Sequence, residues 1–133
     1  MVGVRDDALI TDGSQLSLMD ALVHFAVGLS GGLLALLLVD WHPRREFLAT
    51  FASGVWALVP DGHWVFRGFG FETVADAWLV FHRSTFANLF WFHRFLDESE
   101  TGNPKLETGV ALAVLLVAVG VYAVVNDWTR AER

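Results

Sequence analysis

The sequence predicts an all-α integral membrane bundle of four transmembrane helices, forming one domain over residues 1–133. Three observations predict it. Hydrophobic residues make up 54% of the chain and the mean hydropathy is +0.46, an excess over the composition of soluble domains. The excess is concentrated in long blocks, and residues 21–39 carry no formal charge at all. Ionisable residues of metal-ligating type nevertheless sit in or beside those blocks, where a polar group is costly to bury.

The elements follow in order. Residues 1–15 are polar and carry the turn signal Asp12-Gly13-Ser14, which predicts a loose tail. Ser17 is a suitable N-cap for a first span over 17–39, roughly 34 Å long at 1.5 Å per residue. Trp41 and Pro43 mark an interfacial turn. A second span over 46–60 is short, and Pro60 with the glycines at 62, 68 and 70 favours a loop after it over a kinked continuation. The third span, 74–96, is the most polar, with Asp76, His82, Arg83, His93 and Arg94. The fourth, 108–126, has no charge and reads as lipid-facing scaffold. Residues 1–39 do not read as a cleavable signal peptide, because the basic start and the small-residue cleavage site are missing.

Composition excludes several classes. Without cysteine there are no disulfides or thiolate metal sites, so any metal must take nitrogen and oxygen ligands. The net charge is −6 and no basic stripe exists to meet phosphates, which excludes a nucleic-acid partner. Eight of the nine basic residues are Arg, with Lys105 the only Lys. Such an acidic, Lys-poor chain is expected of a halophilic protein whose stability rises with salt.

Four spans place both termini on one side of the bilayer, the membrane being the expected location. On that side Asp20 and His24 on the first helix, Asp61 and His63 closing the second, and His82 on the third share one depth. Asp oxygens with His nitrogens suit zinc or manganese, and a divalent metal makes water nucleophilic near neutral pH. Arg83 is a natural clamp for an anionic phosphate or carboxylate group, or else the partner of Asp76 or Asp20. Gly28 and Gly31, on the His24 face, read as helix-packing positions. His42, Glu72 and His93 read as interfacial.

The order of these motifs resembles the YdjM-like family of inner-membrane metal-dependent hydrolases, over roughly residues 20–95. His24 and Gly28 match the family's Thr-His-x-x-x-Gly, with Val23 in the Thr place. Pro60 and Asp61 match the start of Pro-Asp-x-Asp-His, with His63 and Trp64 replacing its last two residues. His82 and Arg83 open the third motif, His-Arg-x-x-Thr-His-Ser, whose end is replaced by Phe86-Ala87-Asn88. The resemblance implies a membrane-bound hydrolase with a divalent metal on His24, Asp61, His63 and His82. Asp20 would orient His24, and Arg83 would hold an anionic group of a lipid or phosphoester substrate. Two other classes remain open at this point: a non-catalytic assembly partner whose polar residues fasten helices, and a proton or ion pathway through Asp20, His24 and His82.

Overall fold

The structure, a computed structural model, describes residues 6–131, with side chains described over 18–126. It is all-helical: α1 (Asp6–Leu36), α2 (Pro43–Ala57), a 3-10 turn (Val59–Asp61), α3 (Gly62–Gly68), α4 (Glu72–His82), a second 3-10 turn (Thr85–Leu89), α5 (His93–Glu98) and α6 (Pro104–Ala131). Two described helical segments are long and apolar enough to cross a membrane, Leu18–Leu36 in α1 and Pro104–Asn126 in α6.

Helix α1 is the centre of the fold, with α2 packed on one side and α6 on the other. It starts well before Ser17, at Asp6. A glycine inside a helix costs only about 1 kcal/mol relative to alanine, so Gly13 does not stop it. Residues 1–5 of the expected tail lie outside the described residues. At its other end α1 tightens into i to i−3 bonds from Leu37, Leu38 and Val39, and the helix closes at Leu36. The exposed His42 caps α2: its Nδ1 accepts from the Arg44 backbone N–H, and Pro43 fills the first helical position.

Glycine lets α1 and α2 touch along their backbones. A Cβ on Gly28 would lie 2.7 Å from the Ala57 methyl and from the Ser53 carbonyl oxygen. Ser53 Oγ donates to the Gly28 carbonyl at 2.7 Å, which locks this close approach. On the other side, Ala111 and Ala118 of α6 are buried seven residues apart, on one helix face. Tyr122 donates its hydroxyl hydrogen to the buried Glu46 carboxylate and so ties α6 to α2.

The second and third spans take a different form from the one expected. Pro60 sits in a 3-10 turn and helix resumes at once at Gly62, so the segment after Pro60 is α3 and not a loop. The chain reverses at Gly70, whose φ of +79° suits glycine, and α4 runs back along α3. The expected helix over 74–96 breaks after His82. Ser84 turns extended and its Oγ donates to the Phe81 carbonyl, a local bond that competes with the helix. Trp91 and Phe92 then both adopt left-handed backbone, with φ of 54° and 58°. Two consecutive aromatic residues there are strained and are held by their surroundings. Trp91 donates its indole N–H to Ser53 Oγ at 2.8 Å, and its ring lies against Gly31. The Asn88 carbonyl accepts from the Phe92 N–H, and the Asn88 side chain accepts from the Phe95 N–H. The result is a sharp re-entry that directs α5 back against α1.

Candidate metal centre

Four imidazoles and three carboxylates meet where α1, the Pro60 turn, α3, α4 and α5 converge. His24 of α1 is 1% exposed, and its Nε2 lies 3.3 Å from Asp20 and 2.9 Å from Asp97 Oδ1. His82 Nε2, at the end of α4, lies 3.1 Å from Asp97 Oδ2. His93 Nε2, at the start of α5 and fully buried, lies 3.4 Å from Asp61 Oδ1 and 3.7 Å from Asp97 Oδ2. The rings pack on one another: His93 stacks on His24 with centroids 3.9 Å apart and meets His82 edge-on at 4.9 Å. His63 meets His82 at 5.0 Å.

Backbone carbonyls set the tautomers. A carbonyl can only accept, so a ring nitrogen bonded to one must carry hydrogen. His93 Nδ1 donates to Ala57 (3.1 Å), and His82 and His63 donate from Nδ1 to Pro60 (3.3 and 3.4 Å). The Nε2 atoms of His82 and His93 then face carboxylate oxygens, and at His82 the hydrogen bond to Asp97 favours a proton in that place when no metal is bound. Acceptor facing acceptor is repulsive unless something positive lies between them. His93 Nε2 is buried and, although Asp61 Oδ1 lies 3.4 Å away, makes no well-aligned hydrogen bond to a described residue. Asp97 Oδ1 and Asp61 Oδ2 are also buried without a hydrogen bond among the described residues. An Nδ1–H donated to a carbonyl with Nε2 turned to a shared centre is the usual arrangement of a metal-binding imidazole.

The residues therefore fit a divalent cation. Ligand atoms within 4.8 Å of one another come from His24, Asp61 and His93; from Asp61, His63 and His82; from His82, His93 and Asp97; and from Asp20, His24 and Asp97. All are nitrogen or oxygen donors of the kind zinc and manganese accept. Burial acts to raise the Asp97 carboxyl, but the facing imidazoles outweigh it and hold the group below the usual carboxylate range. Glu100, just beyond α5, is pushed up to about 7 by desolvation and then by the charges of Asp20 and Asp97.

His24, Asp61, His63 and His82 are thus brought together, and Asp20 lies beside His24 on the same Nε2 that faces Asp97, the position of a further ligand and not of a carboxylate orienting the ring from its other nitrogen. Arg83 is different. It is exposed at the C-cap of α4, where its carbonyl accepts from Arg94 at 2.8 Å. Asp76, one of its expected partners, pairs with Arg67 at 2.9 Å. Sequence reasoning missed His93 and Asp97. His93 is not interfacial but the most buried ring of the cluster, and Asp97 lies one helical turn after it, touching three of the rings. The His-x-x-x-Asp spacing of 93 and 97 was the available signal, since residues four apart share a helix face.

A cleft of about 360 Å³ opens onto this centre between α1 and α6. Its walls include Val23, Val27, Leu106, Val110 and Val114, together with the polar Asp20, His24, Glu100 and Glu107. No protein-family model, curated protein or solved structure matches the chain.

Proposed function

We propose that this chain is a multi-pass membrane protein that uses a divalent metal, zinc or manganese, to hydrolyse a lipid-like ester or phosphoester. The observation that carries the reading is the Nε2 of His93, buried and facing two carboxylates without a hydrogen bond to any described residue. His24, Asp61, His82, His93 and Asp97 would hold metal, with His63 beside His82 and Asp20 beside His24. The ion, when bound, would supply Lewis-acid chemistry and water activation near neutral pH. Glu100, a carboxyl lining the cleft together with Asp20 and His24, would be the nearest further group able to exchange a proton with water there. The similarity of the His24, Pro60-Asp61 and His82-Arg83 motifs to the YdjM-like pattern supports the same activity.

The membrane reading is supported by the outer surface. Leu112, Leu116, Val117 and Val124 of α6 and Phe47, Leu48, Phe51 and Trp56 of α2 are exposed, far more apolar side chains than a water-facing monomer presents. Helices α1 and α6 would span, with the broken segment α2 to α5 inserted against α1. The cleft supports this substrate class: its valine walls suit an acyl chain, and Asp20, His24 and Glu100 in its lining suit a polar scissile group.

Hydrolysis of a long-chain ester and a long-chain phosphoester by detergent-purified protein, with and without a chelator, tests the proposal. Metal-dependent turnover is expected. Val110→Trp should lower kcat/KM for the long-chain substrate by about tenfold, the cost of losing one or two buried methylenes, and leave a short-chain analogue unaffected. A metal-loaded protein that turns over neither substrate would refute the hydrolase and favour a fastening role for the cluster.

A further inference from the structure

The number and placement of donors exceed what one ion needs. Zinc in proteins takes four ligands, of which a reactive site leaves one position to water. Here seven His and Asp side chains share one cluster, and they divide about a single carboxylate. Asp97 turns Oδ1 to His24 Nε2 at 2.9 Å, with Asp20 on the same nitrogen at 3.3 Å. It turns Oδ2 to His82 Nε2 at 3.1 Å and to His93 Nε2 at 3.7 Å, with Asp61 Oδ1 3.4 Å from His93. Each of its oxygens thus serves a different donor set. Among the described residues neither His93 Nε2 nor Asp97 Oδ1 finds a hydrogen-bond partner, although His93 is fully buried.

We infer that the cluster is a two-ion centre bridged by the Asp97 carboxylate. One ion takes His82, His93, Asp61 and Asp97 Oδ2. That set is complete with four protein ligands, and its His93 is fully buried. The other takes Asp20, His24 and Asp97 Oδ1. That set has three protein ligands, so one position is left, and it lies where Asp20 and His24 line the cleft between α1 and α6. The buried ion organises the cluster; the open one meets the substrate. Paired ions a few ångströms apart clamp both the attacking and the leaving oxygen in hydrolytic sites. The inference rests on the metal-binding reading above and adds the count, the bridge and the division of roles.

Manganese titration of the detergent-solubilised full chain, read by total metal per chain and by electron paramagnetic resonance, tests it. The expected result is two manganese ions per chain at saturation, with the spectrum of a spin-coupled pair. Asp20→Asn, a change at a half-buried residue that leaves the packing alone, should weaken the second ion at least tenfold and convert the spectrum to that of an isolated ion. His24→Gln should do the same if the stack on His93 survives, and circular dichroism of both variants shows whether the helices are intact. Saturation at one ion, or two ions without coupling, overturns the two-ion centre and leaves the single-metal reading standing. Loss of both ions in folded Asp20→Asn overturns the division of ligands. No bound ion at all overturns the metal reading itself.

Discussion

Asp97→Ala is expected to abolish metal binding, lowering the affinity by well over 100-fold. Removing a partner that only orients a ligand already costs about 10–100-fold. Asp97 is closer to the centre than that, since its two oxygens face the Nε2 atoms of His24 and His82 and approach that of His93. His93→Ala should behave likewise and add a packing defect, because the ring is fully buried and stacks on His24. Isothermal titration with zinc, next to a circular dichroism spectrum, separates loss of the site from loss of the fold. Affinity should also fall as the pH is lowered, beginning above the ordinary imidazole range, because the hydrogen bond to Asp97 raises His82 and its protonated form competes with the metal. Wild-type affinity in Asp97→Ala would place the ion elsewhere.

Gly28→Leu is expected to be the most damaging change away from the cluster. A side chain there meets the Ser53 carbonyl and the Gly54 Cα, which are backbone atoms that cannot swing aside. Over-packing of this kind costs about 3 kcal/mol, and α2 must move off α1 to relieve it. The damage should reach the metal. Ser53 Oγ bonds the Gly28 carbonyl and accepts from Trp91, and Trp91 is two residues from His93 in the strained turn. Denaturation of the detergent-solubilised variant should therefore show both a lower midpoint and a weaker response to added zinc. Gly68→Leu, at a position with open space around it, is the control that should change neither.

The part of the site legible in the sequence was the part governed by helical repeat and turn chemistry. Asp20 and His24 share a face because they are four apart, and Pro60-Asp61 was readable as the end of a helix. Gly28 and Gly31 were readable as packing positions, and both meet neighbours, α2 and Trp91 respectively. His93 and Asp97 were not legible for a definite reason. A continuous helix over 74–96 puts His93 about 16 Å along the axis from His82, at 1.5 Å per residue. In the fold their rings are in contact because the chain breaks between them. Ser84 and Asn88 supply local alternatives to the helix, but the left-handed turn at Trp91 and Phe92 has no glycine to announce it. What holds that turn is tertiary: Trp91 on Ser53 and Gly31, and Phe90 stacked on Trp56. Propensity along one segment does not contain those contacts. The same break explains why Arg83 leaves the site while His82 stays in it. At the C-cap of α4 the chain has stopped following a helical repeat, so His82 stays against Asp97 while Arg83 points outward.

The central claim is that buried imidazoles and carboxylates from α1, the Pro60 turn, α4 and α5 bind a metal together. X-ray absorption at the metal edge of the purified, zinc-loaded protein tests it most directly. The expected spectrum has a first shell of nitrogen and oxygen only, at about 2.0–2.2 Å, with the outer-shell scattering of at least two imidazoles, and this signature is lost in Asp97→Ala. A shell of water oxygens without imidazole scattering, or a spectrum unchanged in Asp97→Ala, would contradict it.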